Sequence, residues 1–352
     1  MKKVTKIAGA LLALCVMGSA FASGKKDGQG EIKIGVLSFL NLSEEDYAAV
    51  SRARKNVEIE MEKEGSVKLN PHHKQDELFV PRIVFYDTLD AMLMALESGE
   101  IFSMSGIPST TANYLCNRND RLEVSLEFTR YMPDIWKEDS FSAKTIATLS
   151  DGFSFMMLEK NVALRDDFNK AIKAMKADGT ISKLIRAHIF EVMRGKDISP
   201  IIPEFEAGRK TIKVAVTGSL PPMDYVAADG SFAGFNTAML AEIGERLDRN
   251  ITMVQVSSVG RATALASGTV DVVFWTRGLS EPVVEKLGDN SAELKTKTDA
   301  GLSDASAELR KSLEAYNDTM DVDKSRKKDM PENTVITIPY FTDMPVGVTL
   351  RK

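Results

Sequence analysis

The chain of 352 residues carries a formal net charge of −5, and 27% of its residues are charged. This negative balance argues against a nucleic acid or an anionic membrane as a partner, and the length is sufficient for two domains with buried cores. The three histidines, His72, His73 and His188, lack metal-ligand spacing with cysteines or with one another, so we expect no metal and no cofactor.

The first residues have the pattern of a secretory signal peptide. Three lysines precede an apolar run that starts at Ile7, and the small residues Ala20 and Ala22 follow, so we expect cleavage near Ala22 and a soluble protein outside the cytoplasm, either periplasmic or secreted. Cleavage would move the net charge from −5 to −8 and would leave Cys116 without a disulfide partner in the chain. The alternative is a lipoprotein signal that ends at Cys15 and leaves a lipid anchor.

The next part of the chain alternates strand-like and helix-like runs. IKIGVLSF, IVFYDT and FSFMMLEKN are predicted strands, and LDAMLMALESG is a predicted helix that Asp87 would cap. After them, Leu164, Phe168, Ile172 and Met175 recur at helical spacing. Gly179 ends that helix, and Thr180 would cap a second one.

A linker without periodicity, residues 193–209, separates this part from a second alternating one. There TIKVAVTG, NITMVQV and VDVVFW are predicted strands, and FNTAMLAEIGERL and GRATALASG are predicted helices. Both parts therefore predict an α/β fold with open, mostly parallel sheets. Residues 283–333 are rich in charged and hydroxyl side chains, and we expect a solvated insertion there.

The second part resembles lobe one of the bacterial extracellular solute-binding proteins of the amino-acid-binding family, which are the periplasmic components of ABC importers. The resemblance rests on LPPMDY, DGSFAGF, LASGTVDVV and the closing TIPYFTDMPVGVTLRK, in that order. The first part is similar to lobe two and to the family's closing strand and helices. The resemblance implies a two-lobed periplasmic-binding-protein-like fold of type II, each lobe being an open, mostly parallel sheet with flanking helices.

This resemblance implies a domain order in which the family's tail precedes its head. Residues 23–30 would be a flexible N-terminus, 31–150 a lobe-two-like domain, 151–192 the family tail packing on lobe one, and 210–352 a lobe-one-like domain. The simplest explanation is a circular permutation, with the new chain ends at the crossover between the lobes and one hinge strand cut. A tandem array in which each unit has lost a lobe is the alternative.

In such a fold a small ligand binds between the lobes at the ends of strands and helices. The candidate ligand-binding residues are Ser38, Phe39, Asn41, Ser109, Thr110, Asp224, Tyr225, Arg261, Trp275, Thr276 and Arg277. The Arg261 guanidinium suits a carboxylate, but a surface charge at a helix start is an equal alternative. Tyr225 would stack on the ligand or pack in the core.

The chain departs from the family at three positions where the resemblance implies charged ligand contacts, and these positions hold Ile107, Ala238 and Val283. The resemblance therefore implies a small polar ligand, an amino acid or a related carboxylate, delivered by a monomeric protein to a membrane permease. We expect no enzyme activity. The alternatives are a degenerate binding protein acting as a sensor or interaction module, and a dehydratase-type enzyme in which Asp224 is the one nearby acid or base.

Overall fold

The computed structural model describes residues 32–37, 44–65, 67–69, 82–128, 150–196, 205–257, 260–279, 306–319 and 333–351. For residues 44–51, 127–128, 151, 274–279 and 317–319 it describes the backbone alone. The predictions on Ser38, Phe39, Asn41 and Val283 lie outside the described residues.

The described elements alternate between strands and helices along the chain. The strands are β1 (Lys33–Leu37), β2 (Val67–Leu69), β3 (Arg82–Tyr86), β4 (Ser103–Pro108), β5 (Leu122–Val124), β6 (Leu126–Phe128), β7 (Asp151–Leu158), β8 (Lys210–Val216), β9 (Ser219–Leu220), β10 (Asp224–Val226), β11 (Phe232–Ala233), β12 (Arg249–Gln255), β13 (Val272–Leu279), β14 (Thr334–Ile336), β15 (Phe341–Asp343) and β16 (Pro345–Leu350). The helices are α1 (Glu44–Lys63), α2 (Leu89–Glu97), α3 (Ser109–Cys116), α4 (Val162–Ala177), α5 (Thr180–Ile185), α6 (Phe235–Leu247), α7 (Arg261–Ala266) and α8 (Ala307–Thr319). None of the helices in these ranges has the length and apolarity that a membrane crossing requires.

Two mixed sheets form the framework, and they share one arrangement. The first sheet has the order β3-β1-β4-β16-β5, and the second has the order β12-β8-β13-β7-β14, with β15 also paired to β7. In each sheet the first three strands are parallel, and the fourth, β16 or β7, runs antiparallel to its neighbours. The fold is therefore α/β, as the alternating pattern predicts, with one reversed strand in each sheet.

The chain passes from the second sheet to the first at Met344. Asp343 ends β15, which pairs with β7, and Pro345 begins β16, which pairs with β4 and β5. The expectation that residues 210–352 form one lobe put β16 in the second sheet, whereas its hydrogen bonds are in the first. The permutation hypothesis predicts that one connection between the lobes is cut and that the chain ends lie there. At Met344 the connection is not cut, because the chain runs without a break from β15 through this buried residue into β16.

The helices that follow β7 lie against the second sheet, where α4 contacts β7 and α6. Phe168, Ile172 and Met175 are fully buried and Leu164 is partly buried, as their spacing predicts. Gly179 has a left-handed φ of 78° and is itself the N-cap of α5, so the predicted cap at Thr180 is shifted by one residue.

Capping of α2 also differs from the prediction. The Thr88 side chain, not that of Asp87, accepts a hydrogen bond from the Ala91 N–H at 3.2 Å. Thr88 has extended backbone angles, which orient its hydroxyl toward the first turn of the helix. Either residue type suits an N-cap, and the position at which the helix begins decides between them.

Helix α8 corrects the expectation of a solvated insertion for the part that the structure describes. Leu309, Leu313 and Tyr316 recur at helical spacing and are fully buried, and α8 packs against α1. The first half of the molecule is the part built on the first sheet, and the second half is the part built on the second sheet. Because α1 follows β1 of the first sheet while α8 lies between two strands of the second, this contact joins the two halves.

Candidate functional site

The loop after β8 is closed by a buried carboxylate. Asp224, at the start of β10, is 1% exposed, and its Oδ2 accepts hydrogen bonds from the Gly218 N–H at 2.6 Å and the Thr217 hydroxyl at 2.9 Å. The hairpin of β9 and β10 pairs Asp224 with Leu220, which fixes the backbone on both sides of the loop. One oxygen of Asp224 therefore has a structural role.

The second oxygen of Asp224 is available for another interaction. Asp224 Oδ1 is buried and has no hydrogen-bond partner among the described residues. Burial raises the pKa of Asp224 to about 6, although the hydrogen bonds from Gly218 and Thr217 and the charge of Arg261 act in the opposite direction. A buried carboxylate oxygen without a donor is costly, and a donor supplied by a ligand would relieve that cost.

Arg261 lies close enough to Asp224 for its charge to lower the carboxyl pKa. It is the first residue of α7 and is 2% exposed, so the alternative of a surface charge at a helix start is wrong. A buried guanidinium requires acidic or carbonyl acceptors. Arg261 and Asp224 are thus two buried residues of opposite charge, at the starts of α7 and β10.

Asn236 adds a polar group that sequence reasoning missed. Its backbone N–H donates to the Met223 carbonyl at 2.9 Å, which holds the start of α6 against the residue before Asp224. Its side-chain Oδ1 accepts from the Tyr340 hydroxyl at 2.7 Å, while its buried Nδ2 has no acceptor among the described residues. The one available signal was a polar residue directly after the GF turn, and its partner lies 104 residues away.

Ser109 and Thr110 lie at the start of α3 and are buried. Both hydroxyls donate to the carboxylate of Asp343, and the Thr110 N–H donates to it at 3.0 Å. The structure therefore places these two candidates against the crossing between the sheets.

The residues around Asp224 also carry a family signature. Residues 212–278 match the bacterial extracellular solute-binding proteins, family 3. The match confirms the resemblance to solute-binding proteins over that segment, and it includes Asp224, Asn236 and Arg261. No curated protein matches the chain.

Solved structures of binding proteins align with most of the chain at low similarity. The GluR0 ligand-binding core in complex with L-glutamate is 9% identical, with 92% of this chain and 87% of that one covered and a TM-score of 0.33. An ancestral arginine-binding protein bound to arginine is 12% identical, with 92% and 85% covered and a TM-score of 0.33. A putative L-cystine ABC transporter from Listeria monocytogenes is 10% identical, with 92% and 83% covered and a TM-score of 0.32. Similarity at this level carries no inference about the ligand.

The strand pairing gives the positions of the other candidate residues in the segment that matches the family. Tyr225 is half-buried in β10 and pairs with Ser219 and Ala233. Residues 275–277 lie in β13, where the pairing with β7 is irregular, and their side chains are outside the described residues. The departures Ile107 and Ala238 are both buried apolar residues, in β4 and α6. Within the described ranges, no group of three or more His, Cys, Asp or Glu side chains could hold a metal ion.

Proposed function

We propose that this chain is an extracytoplasmic solute-binding protein that captures a small polar ligand between its two sheets and delivers it to the permease of an ABC-type importer. The ligand class is an amino acid or a related carboxylate. The family match over residues 212–278 supports both the function and a location outside the cytoplasm. The signal-peptide pattern of the first residues supports cleavage near Ala22.

The observation that carries the proposal is a set of three buried polar residues, Asp224, Asn236 and Arg261, within the segment that matches the family. Arg261 provides a positive charge for a carboxylate, Asp224 Oδ1 is an acceptor without a donor, and Asn236 Nδ2 is a donor without an acceptor in the described chain. Binding sites for small ligands combine a few polar groups with an apolar wall. A zwitterionic or hydroxylated carboxylate has the matching set of donors and acceptors.

The strand order supports the proposal that the chain is a circular permutation with one copy of each lobe. Each sheet contains one reversed strand, and β7, which belongs to the family-tail part, supplies the one in the second sheet. A single first sheet and a single second sheet suffice for one cleft, so the permutation explains the chain without a second binding unit and without the loss of a lobe from each unit.

Binding is tested by the thermal stability of residues 23–352 with amino acids, small dicarboxylates and short peptides. A ligand at a hundred times its dissociation constant stabilises the folded state by about 2.7 kcal/mol, which moves the melting temperature by a few degrees. We expect stabilisation by carboxylate ligands. Absence of any shift across the panel would favour the alternative of a sensor or interaction module.

The role of Arg261 is tested with Arg261→Ala and with Arg194→Ala as the control. Arg194 makes an exposed ion pair with Glu191 at 2.8 Å, so its removal takes away an arginine without touching the site. We expect Arg261→Ala to lower affinity at least about tenfold, the value of one charge-assisted hydrogen bond, and Arg194→Ala to leave it unchanged. Equal affinity in both variants, with both folded, rules out Arg261 as the carboxylate contact.

A binding protein and an enzyme are distinguished by whether the ligand is chemically changed. A binding protein returns its ligand unchanged, whereas a dehydratase would release water and an unsaturated product. Nuclear magnetic resonance of the ligand after long incubation is expected to show no new species. Turnover that is lost in Asp224→Asn would instead identify Asp224 as a general acid or base.

A further inference from the structure

Asp343 is hydrogen-bonded to both halves of the molecule. Its backbone belongs to β15 and pairs with Asp151 of β7 in the second sheet. Its side chain reaches the start of α3, which directly follows β4 of the first sheet. The residue is 1% exposed, so this contact is inside the protein.

The carboxylate of Asp343 is surrounded by donors. Oδ1 accepts from the Ser109 hydroxyl and from the Met344 N–H at 2.8 Å, and Oδ2 accepts from the Thr110 N–H at 3.0 Å and the Thr110 hydroxyl at 2.7 Å. Three of these four bonds come from α3. Hydrogen bonds to an ionised acceptor are stronger than neutral ones, and a helix N-terminus favours a negative charge.

The two residues after Asp343 also accept hydrogen bonds from helices of the first half. The Met344 carbonyl accepts from the Ser109 N–H at 2.9 Å, and the Pro345 carbonyl accepts from Arg54 of α1 at 3.2 Å. Arg54 is itself buried and paired with Glu58 at 2.7 Å. The crossing segment Asp343–Pro345 is thus bonded to two helices of the first half, while its first residue is paired in the second sheet.

We propose that Asp343 is a latch that fixes the pivot between the two sheets. With its backbone in one sheet and its carboxylate on a helix of the other half, Asp343 holds the two halves together at the crossing. Movement between them is then a rotation about Asp343 and Met344 and not a separation. Ser109 and Thr110 accordingly hold Asp343 rather than a ligand. This inference does not depend on the proposed function.

The latch is tested by Asp343→Asn, with Asp271→Asn as the control. Asp271 also accepts a backbone hydrogen bond, from the Lys213 N–H at 2.9 Å, but both residues belong to the second half. The amides of Ser109 and Thr110 are read out by hydrogen exchange. We expect their protection to fall about tenfold in Asp343→Asn, the effect of losing one charge-assisted bond, and to stay unchanged in Asp271→Asn.

The position of the two halves is read out by spin labels on exposed residues, Met94 of α2 and Lys170 of α4, each changed to cysteine in a Cys116→Ser background. We expect a broader distance distribution in Asp343→Asn than in the parent or in Asp271→Asn. Thr110→Val, which removes one hydroxyl donor and keeps the N–H, is expected to give an intermediate broadening.

If Asp343→Asn does not fold, Thr110→Val decides the question. Parent-like exchange and parent-like distances in the folded variants overturn the latch. Because neither readout uses a ligand, failure of the latch is distinguishable from failure of solute binding.

Discussion

At the residue scale, Asp224 shows how one side chain combines a structural and a ligand-facing role. Its Oδ2 closes the loop after β8, and its Oδ1 is buried without a donor in the described chain. The balance is visible in its pKa, which burial raises to about 6. The hydrogen bonds that Asp224 accepts and the charge of Arg261 lower this pKa, and burial outweighs them.

The raised pKa of Asp224 predicts a pH-dependent stability. Between the unfolded value of about 3.9 and the folded value of about 6, the native state binds more protons than the unfolded state, so the unfolding free energy falls as pH rises. The decline from this group is about 2 kcal/mol between pH 4 and pH 7. Urea unfolding at several pH values is expected to show a smaller decline in Asp224→Asn.

The matched control for this measurement is Asp229→Asn. Asp229 is an exposed turn residue whose pKa is lowered, first of all by the hydrogen bond from the Ser231 side chain. Its contribution therefore has the opposite sign, and its removal should not flatten the decline. Burial also raises the pKa of Asp343, so part of the decline is expected to persist in Asp224→Asn. An identical pH profile for the parent and Asp224→Asn would show that Asp224 is not buried as a charge.

At the element scale, the packing of helix α8 shows that this part of the charged insertion contributes to the protein core. Its three buried side chains form one stripe against α1. Leu309→Ala is expected to destabilise the protein by about 2–4 kcal/mol, because it removes buried methyl groups and leaves a cavity. Lys311→Ala, on the exposed face of the same helix, is expected to change stability by less than about 0.5 kcal/mol.

Urea unfolding checks the stability change, and limited proteolysis within 306–319 checks local release of α8. Equal stability and equal cleavage in the two variants would mean that α8 is solvated, as composition alone predicts.

Most elements could be predicted from the sequence because their signals are local. The strands β1, β3, β7, β8, β12 and β13 and the helices α2, α4, α6 and α7 follow from apolar runs and helical spacing. The contacts that define the site and the crossing are not local. Tyr340 and Asn236 are 104 residues apart, and Ser109 and Asp343 are 234 apart, so no periodicity could pair them.

For the same reason the burial of Arg261 could not be predicted. A charged residue at a helix start reads the same in sequence whether solvent or a neighbouring loop covers it. The apolar residues of α8 recur at helical spacing, but the helix that covers them, α1, lies far away in the chain.

At the scale of the whole molecule, the two ends of the described chain lie in the same sheet. Ser103 of β4 pairs with Ile34 of β1 on one side and with Thr349 of β16 on the other. Since neighbouring strands are about 4.8 Å apart, the end of β16 and the start of β1 are separated by about 10 Å. A linker of about five residues can span that distance.

This proximity makes the permutation testable by reversing it. A chain that starts at residue 205, runs to 352, continues through a Gly/Ser linker into residue 32 and ends at 196 has the order of the family. Moving the ends changes mainly loop-closure entropy, which varies slowly with length, so we expect its unfolding free energy to be within about 2 kcal/mol of the parent. Its response to the ligand panel should also be the same.

The control is a chain with the same linker whose new ends lie between Val214 and Ala215. These ends interrupt a buried strand, so we expect the control chain not to fold. If the first rearranged chain fails as the control does, the present order is required for folding, and the tandem alternative is favoured over a permutation.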